Sequence, residues 1–354
     1  MMISANIISK PAKFSSSCFA RCNTLRIGEA LNPGPKQNRD FLLENVSLIS
    51  ARTQALQSKI WEWFVQWSNG ELGKNAASSI RQNPVLCAML VKEFGNHLFS
   101  TGKSLYILRH LVVYIQKSQI EVRPYLGICW DLIQKWELVE PPVHRVPLPL
   151  GVLKSMTMVA LSWKWFRFAG AIVLAFYGIT RPGEVLRGTR ADLVLPEDLL
   201  SDQLSKVYFR IREPKSRRRG KGRIQHASID SEEICNFLRK VFGQTPHDAL
   251  LYPISESSFR RRWNAICQHL GILKEHNLTP GSLRAGGAVY EYQRSANLTN
   301  LLWRMRIQHL GTLENYVQEV ACQTFVGKLS PHSRHMIQLL AALFDSSLGA
   351  FKCT

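Results

Sequence analysis

Two arginines and a tyrosine stand in settings that suit chemistry on an anion. Arg181 lies in AFYGITRPGEVLRGTRADLVL (175–195), in a tight turn immediately ahead of a helix that begins near Pro182. The free N–H groups and positive dipole end of a helix start favour phosphate there; capping a neighbouring carbonyl is the competing use of such an arginine. LTPGSLRAGGAVYEY (278–292) repeats the arrangement. Thr279 suits the cap and Pro280 the first helical position, so Arg284 should project from the first turn or two. Gly286 and Gly287 follow in the same helix, where each costs up to about 1 kcal/mol relative to Ala; close approach of another backbone explains them. Some 32 residues beyond Arg284 comes HLGTLENYVQEV, which contains Tyr316.

A basic run lies between the two arginine segments. From 210 to 223 there are eight Lys or Arg residues and one Glu. Like charges at this density repel one another in a folded turn, so Arg217, Arg218, Arg219, Lys221 and Arg223 point to an anionic partner, against the simpler reading of a solvated loop. The whole chain leans the same way, with 45 Lys and Arg against 26 Asp and Glu and a formal charge of +19. Each phosphate neutralised by such a cation releases condensed counterions, which favours a nucleic acid as partner. An RNA partner rests on charge alone.

Other chemistries find little support. The eight cysteines are scattered, at 18, 22, 87, 129, 235, 267, 322 and 353, with no C-x-x-C pair. Reduced intracellular thiols are the simplest reading. His332 and His335 lie three apart without a second ligand pair at zinc spacing, so they read as helix histidines, and neither a metal nor a cofactor is expected. The longest apolar stretch, Phe168 to Ile179, has about twelve residues against the ~20 a membrane-spanning helix needs. It reads as a buried core helix, and no membrane partner is expected.

The elements that position these residues fall into two domains. Residues 1–40 form a basic arm or a targeting segment, and Asn32-Pro33-Gly34-Pro35 within it reads as a Pro/Gly turn. From 41 to 138 the pattern is helical: Leu105, Leu108, Leu111, Val112 and Ile115 recur at the three- and four-residue spacing of one helix face. Similar stripes run through 52–67, with Trp61, Trp63 and Trp67 as core residues, and through 84–98 and 124–138. Residues 139–151 hold four prolines and read as an extended linker. A domain over 152–345 follows, and 346–354 is a tail. In that domain helices at 152–162 and 165–177 precede strands at 206–212 and 223–229, which pair as a hairpin across the basic turn. Helices follow again, so the fold class is mainly α with a small β-sheet (α+β).

An Arg-Pro-Gly-Glu-Val-Leu box, a basic hairpin with Lys215 at its entry, a Thr-Pro-x-x-Leu-Arg box and a downstream tyrosine occur in that order. In this the chain resembles the tyrosine recombinases (phage integrases). The wording LRAGGA and TLENYVQEV is similar to the integrase-like enzymes of DIRS-type retrotransposons. The resemblance implies an N-terminal helical core-binding (SAM-like) domain over 41–138 and a catalytic domain over the remainder. It implies that Arg181 and Arg284 hold the non-bridging oxygens of a DNA phosphate, and that Tyr316 is the nucleophile, giving a 3′-phosphotyrosyl bond and a free 5′-hydroxyl. Lys215 would protonate the leaving oxygen, with Lys221 its competitor. Double-stranded DNA is the implied partner, and a homo-tetramer on two duplexes the implied assembly, with the tail from His332 to Phe344 either exchanged between neighbours or packed on its own domain. A nuclear location follows if the source is eukaryotic, with organellar targeting as the variant, and a cytoplasmic one otherwise. Type IB topoisomerases share the chemistry without a partner site.

The chain departs from the family pattern at three places. The histidine expected three residues before the second arginine falls on Gly281, and the His or Lys expected after that arginine falls on Ala285. The His or Trp expected about nine residues before the tyrosine falls on Ile307, with His309 two residues along and His276 further off as the substitutes. Loss of a general base typically costs on the order of 10²–10⁴ in rate. The sequence therefore admits a weakened recombinase or a mobile-element-derived DNA-binding protein that has lost turnover.

Overall fold

A computed structural model describes Leu42 and residues 47–350, apart from 74–75, 142–144, 200–205, 213 and 215–224. Lys215, Arg217, Arg218, Arg219, Lys221 and Arg223 lie outside the described residues, as do 1–40 and 351–354. The chain divides into two compact units, Met1–Pro142 and Val143–Thr354.

The first unit is built of α1 (Ala51–Leu72), α2 (Ala76–Gln82), α3 (Pro84–Ser100), α4 (Leu105–Ser118), a 3₁₀ segment (Ile120–Leu126) and α5 (Gly127–Val139). Side chains cap three of these helices: Ser50 accepts from the N–H of Thr53, Asn83 from Leu86 and Ser104 from Tyr106, each satisfying one orphan donor of a helix start. Leu108, Leu111, Val112 and Ile115 are fully buried, as their spacing predicts. Trp63 and Trp67 pack on Phe94 at ring distances of 5.5 and 5.2 Å, so these indoles belong to the core.

The second unit carries α6 (Leu150–Ser162), α7 (Phe166–Tyr177), α8 (Pro182–Arg187), β1 (Leu193–Val194), β2 (Val207–Ile211), β3 (Gln225–Ile229), α9 (Glu232–Phe242) and α10 (Glu256–His269). It ends with α11 (Ser282–Ser295), α12 (Leu298–Met305), α13 (Leu310–Glu314), α14 (Glu319–Phe325) and α15 (Pro331–Ala350). The strands form one antiparallel sheet in the order β1–β2–β3, with Val207 opposite Ile229 and Phe209 opposite Ala227. Alternation places Val207, Phe209 and Ile211 in the core and leaves Arg210 outside. The sequence pattern gives β2 and β3 but not β1, whose two residues are too few to show a period.

Helix α7 is the centre of this unit, with every residue from Phe168 to Phe176 buried. Among the described residues no helix is long and apolar enough to cross a membrane. Helix α15 packs on α6 of the same chain: Ile337 and Phe344 are buried, and the Ser155 hydroxyl donates to the Ile337 carbonyl at 2.8 Å. His332 and His335 are exposed on it, and it runs on to Ala350, beyond the boundary drawn at 345.

The glycine pair fixes how α11 meets α7. A Cβ on Gly287 would stand 2.1 Å from the Phe176 carbonyl oxygen, and one on Gly286 2.1 Å from that of Leu148. Backbone cannot yield as a side-chain tip does. Gly287→Ala, which would stabilise an exposed helix by about 1 kcal/mol, is therefore expected to destabilise this unit by roughly 3 kcal/mol, at the upper end of overpacking costs. Urea denaturation measures the sign directly; a gain in stability would show that the helices can part.

Candidate active site

Helix α7 ends in the turn Gly178–Arg181, where Ile179 takes φ +48°, a left-handed conformation that a β-branched residue adopts only under constraint. The constraint is packing: Ile179 is buried in a small cluster with Ala288, Leu301, Met305 and Leu313, against which Tyr316 also lies. The turn delivers Arg181 as the residue capping α8. Glu184, one turn into α8, bends back so that its Oε2 accepts the Arg181 backbone N–H at 2.9 Å and its Oε1 accepts Arg181 Nη1 at 2.8 Å.

Helix α11 supplies Arg284. Its cap is Gly281, not Thr279: the Ser282 hydroxyl accepts the Thr279 N–H at 3.2 Å, and the helix starts two residues later than Pro280 would have it. Arg284 still falls in the first turn. Its side chain is buried, 2% exposed, and Nη2 donates to the Met305 carbonyl at 2.5 Å. That carbonyl is held in place because α12 is bolted down by Arg304, which pairs with buried Glu291 at 2.6 Å and donates to the carbonyls of Tyr177 and Ser228.

Tyr316 follows α13 and is half-buried, with the Arg284 guanidinium 5.6 Å from its ring centroid. Arg306, at the C-terminal cap of α12, completes the group: its Nη2 donates to Glu184 Oε2 at 3.0 Å. Three elements and two turns thus bring Arg181, Arg284, Arg306, Glu184 and Tyr316 together.

Charge is unbalanced here. Burial pushes the Arg284 guanidinium down to about 9, aided by the like charges of Arg181 and Arg306 and opposed by Glu184 and Tyr316. It stays protonated at neutral pH. Burial raises the Glu184 carboxyl, but Arg306 and Arg181 outweigh it and hold the group below its ordinary range. Among the described residues, the Nε and Nη1 atoms of both Arg284 and Arg306 are buried without a protein partner. Buried charged donors normally find acceptors, so this cluster is suited to taking up an oxyanion.

The other predicted residues stand apart from it. His309 is exposed at the start of α13, and among the described residues no hydrogen bond joins it to Tyr316 or Arg284. His276 takes the Leu273 N–H on Nδ1 at 2.9 Å, a turn role. Ile307 packs against the small cluster, and Ala285 is buried. At Gly281 a Cβ would meet Arg145 Nη1 at 2.3 Å, so the Arg145 guanidinium fills the space a side chain at 281 would need. Among the described residues no group of His, Cys, Asp or Glu is placed to hold a metal ion. Sequence reading missed Arg306 and gave Glu184 no role. The Arg-Pro-Gly-Glu spacing carries a signal for Glu184, since a Glu at the third helical position returns to the cap; Arg306 carries none.

No protein-family model matches the sequence, and no curated protein does. Solved structures do. The XerH site-specific recombinase bound to palindromic difH substrate, in its post-cleavage complex, is 14% identical with a TM-score of 0.51 over 75% of each chain. XerH in its pre-cleavage complex with difH is 13% identical, TM-score 0.41, covering 86% of this chain and 87% of that one. XerA recombinase is 14% identical, TM-score 0.38, covering 79% and 92%. The likeness to the post-cleavage XerH structure is one of fold: this is an α+β chain with the tyrosine-recombinase fold.

Proposed function

We propose that this chain cleaves and rejoins double-stranded DNA through Tyr316. The phenolic oxygen gives up its proton to solvent and attacks the phosphorus, the P–O5′ bond breaks, and a 3′-phosphotyrosyl bond and a 5′-hydroxyl result. Arg181 and Arg284 hold the non-bridging oxygens, whose charge grows in the transition state. Lys215 gives the leaving oxygen its proton. The tyrosyl linkage keeps the energy of the phosphodiester for rejoining, and the cations supply the charge stabilisation, so the scheme uses neither ATP nor metal. The observation that carries the reading is the buried Arg284 guanidinium beneath the Tyr316 ring, with Nε and Nη1 unpartnered among the described residues and Arg181 near enough for its like charge to act on it.

The LRAGGA and TLENYVQEV wording draws the reading toward retrotransposon integrases of the DIRS type and a mobile-element origin. The basic run from Arg217 to Arg223 would track the DNA backbone, and assembly as a tetramer on two duplexes completes it. Incubation with a library of nicked duplexes, followed by denaturing electrophoresis, is expected to give a covalent protein–DNA adduct. The exposed position of His309 and the absence of a side chain at Gly281 favour one second reading, a DNA-binding protein without turnover. Tight, salt-sensitive binding with no adduct on any duplex would establish it instead.

A further inference from the structure

We propose that Arg306 is a third arginine of the phosphate site and contacts a non-bridging oxygen of the scissile phosphodiester beside Arg181 and Arg284. The proposal rests on the reading above and adds a substrate contact to it.

Position comes first. Arg284 Nη2 is bonded to the carbonyl of Met305, the residue directly before Arg306. Arg306 Nη2 shares Glu184 with Arg181. The three guanidiniums are therefore tied to one another through a single carbonyl and a single carboxylate.

The second observation is which atoms are left over. The Arg306 side chain is 7% exposed, and both of its protein contacts, to Glu184 at 3.0 Å and the Ile179 carbonyl at 3.5 Å, use Nη2. Among the described residues Nε and Nη1 have no partner, and the same two atoms are left over on Arg284. Guanidinium nitrogens are the fork that recognises oxygens of a phosphate. Arg304, two residues earlier, shows what a structural arginine looks like here: it is occupied by Glu291 and the carbonyls of Tyr177 and Ser228.

The backbone gives no separate reason for an arginine. Arg306 takes φ +57°, a conformation glycine adopts freely and other residues adopt at a cost. Charge supplies the reason. Three guanidiniums against the Glu184 carboxylate leave an excess of two positive charges among these side chains. A phosphodiester carries one negative charge at rest and about two on its non-bridging oxygens when the nucleophile has added. Two arginines against Glu184 would match only the resting ester; the third matches the transition state.

A purely structural Arg306, a clasp on Glu184 and Ile179, would alter folding without sensing the charge of the substrate. The test uses that difference. Arg306→Gly suits the local φ and removes the guanidinium without adding strain, and Arg306→Lys keeps the charge but not the fork. Once the cleaved junction is mapped with the parent protein, adduct formation is measured on that phosphodiester and on the neutral methylphosphonate. Arg306→Gly is expected to slow cleavage of the phosphodiester by roughly 10²–10³ and that of the methylphosphonate by less than about tenfold, with Arg306→Lys between. Independently, inorganic phosphate at ionic strength matched to chloride should raise the Tm of the parent and raise that of Arg306→Gly by less than half as much. Equal losses on the two linkages, or equal phosphate shifts in the two proteins, overturn the proposal. A phosphate shift that depends on Arg306, in a parent that forms no adduct on any duplex, would uphold the oxyanion site and discard strand cleavage.

Discussion

Replacing Tyr316 by Phe is expected to abolish the covalent protein–DNA adduct while leaving DNA affinity, and its dependence on salt, within about twofold of the parent. The substitution deletes one oxygen. The ring that lies 5.6 Å from the Arg284 guanidinium remains, and a phenyl face keeps the attraction for the cation. Among the described residues the Tyr316 hydroxyl has no hydrogen-bond partner, so its loss breaks nothing in the fold. Arg284→Ala should behave differently: it removes a donor aimed at the developing charge, and adduct formation should fall by about 10²–10³. The pair separates nucleophile from electrostatic support. Denaturing electrophoresis reads the adduct, and filter binding at two salt concentrations reads affinity. An adduct that persists in Tyr316→Phe places the nucleophile elsewhere in the chain.

As the proposed nucleophile, Tyr316 is more exacting to explain than its position suggests. A phenol has an ordinary pKa near 10 and needs a base or a positive field to react near neutrality. No histidine at 281 or 307 can serve, and His309 stands in solvent. What the structure sets beside the ring is cationic: Arg284, buried beneath it and held charged. The arginine substitutions carry large expected effects because, in the proposed reaction, their donors meet charge that grows on the phosphate oxygens.

The positions of Arg181 and Arg284 were legible in the sequence because each sits where local rules speak: a residue ahead of Pro182 caps a helix, and one shortly after Pro280 falls in the first turn of another. Tyr316 was singled out only through the family resemblance. The glycine pair was legible for the same reason, since a helix interior penalises both and only backbone contact with Phe176 and Leu148 accounts for them. Helices and the β2–β3 pairing followed from periodicity. What stayed hidden depends on contacts far apart in sequence. Arg304 on α12 and Arg306 at its C-terminal cap carry the same side chain, yet one meets Glu291 and the other Glu184. Nothing in WRMRIQ separates them; the left-handed turn at 306 does, and it is set by tertiary packing. The cap at Gly281 was missed because Ser282 takes the N–H of Thr279 and delays the helix.

Glu184→Gln is expected to destabilise the second unit by about 3–5 kcal/mol, the cost of stripping one partner from a buried charge pair, and so to lower Tm by roughly 6–20 °C for a unit of this size. The carboxylate accepts three donors, the Arg181 backbone N–H, Arg181 Nη1 and Arg306 Nη2. Glutamine keeps the shape but turns an N–H₂ toward one of them and leaves the guanidiniums without counter-charge. The pH dependence follows from the same group. Its folded pKa is depressed below the ordinary 4.5, because Arg306 and Arg181 overcome the effect of burial. The stability it contributes is fully present above about pH 4.5 and is lost as pH falls through the depressed folded value. The Tm gap between parent and Glu184→Gln should accordingly be constant from pH 5 to 8 and close below that window, whereas a gap unchanged down to pH 3 would mean that the carboxylate is not the charged partner. Adding Arg306→Gly to Glu184→Gln should restore part of the loss, since the double variant buries one guanidinium fewer; contacting groups of this kind couple by about 0.5–3 kcal/mol. Such a recovery would show that the excess positive charge of the site is held against the fold's own stability, which is the arrangement expected of arginines whose proper partner is a phosphate.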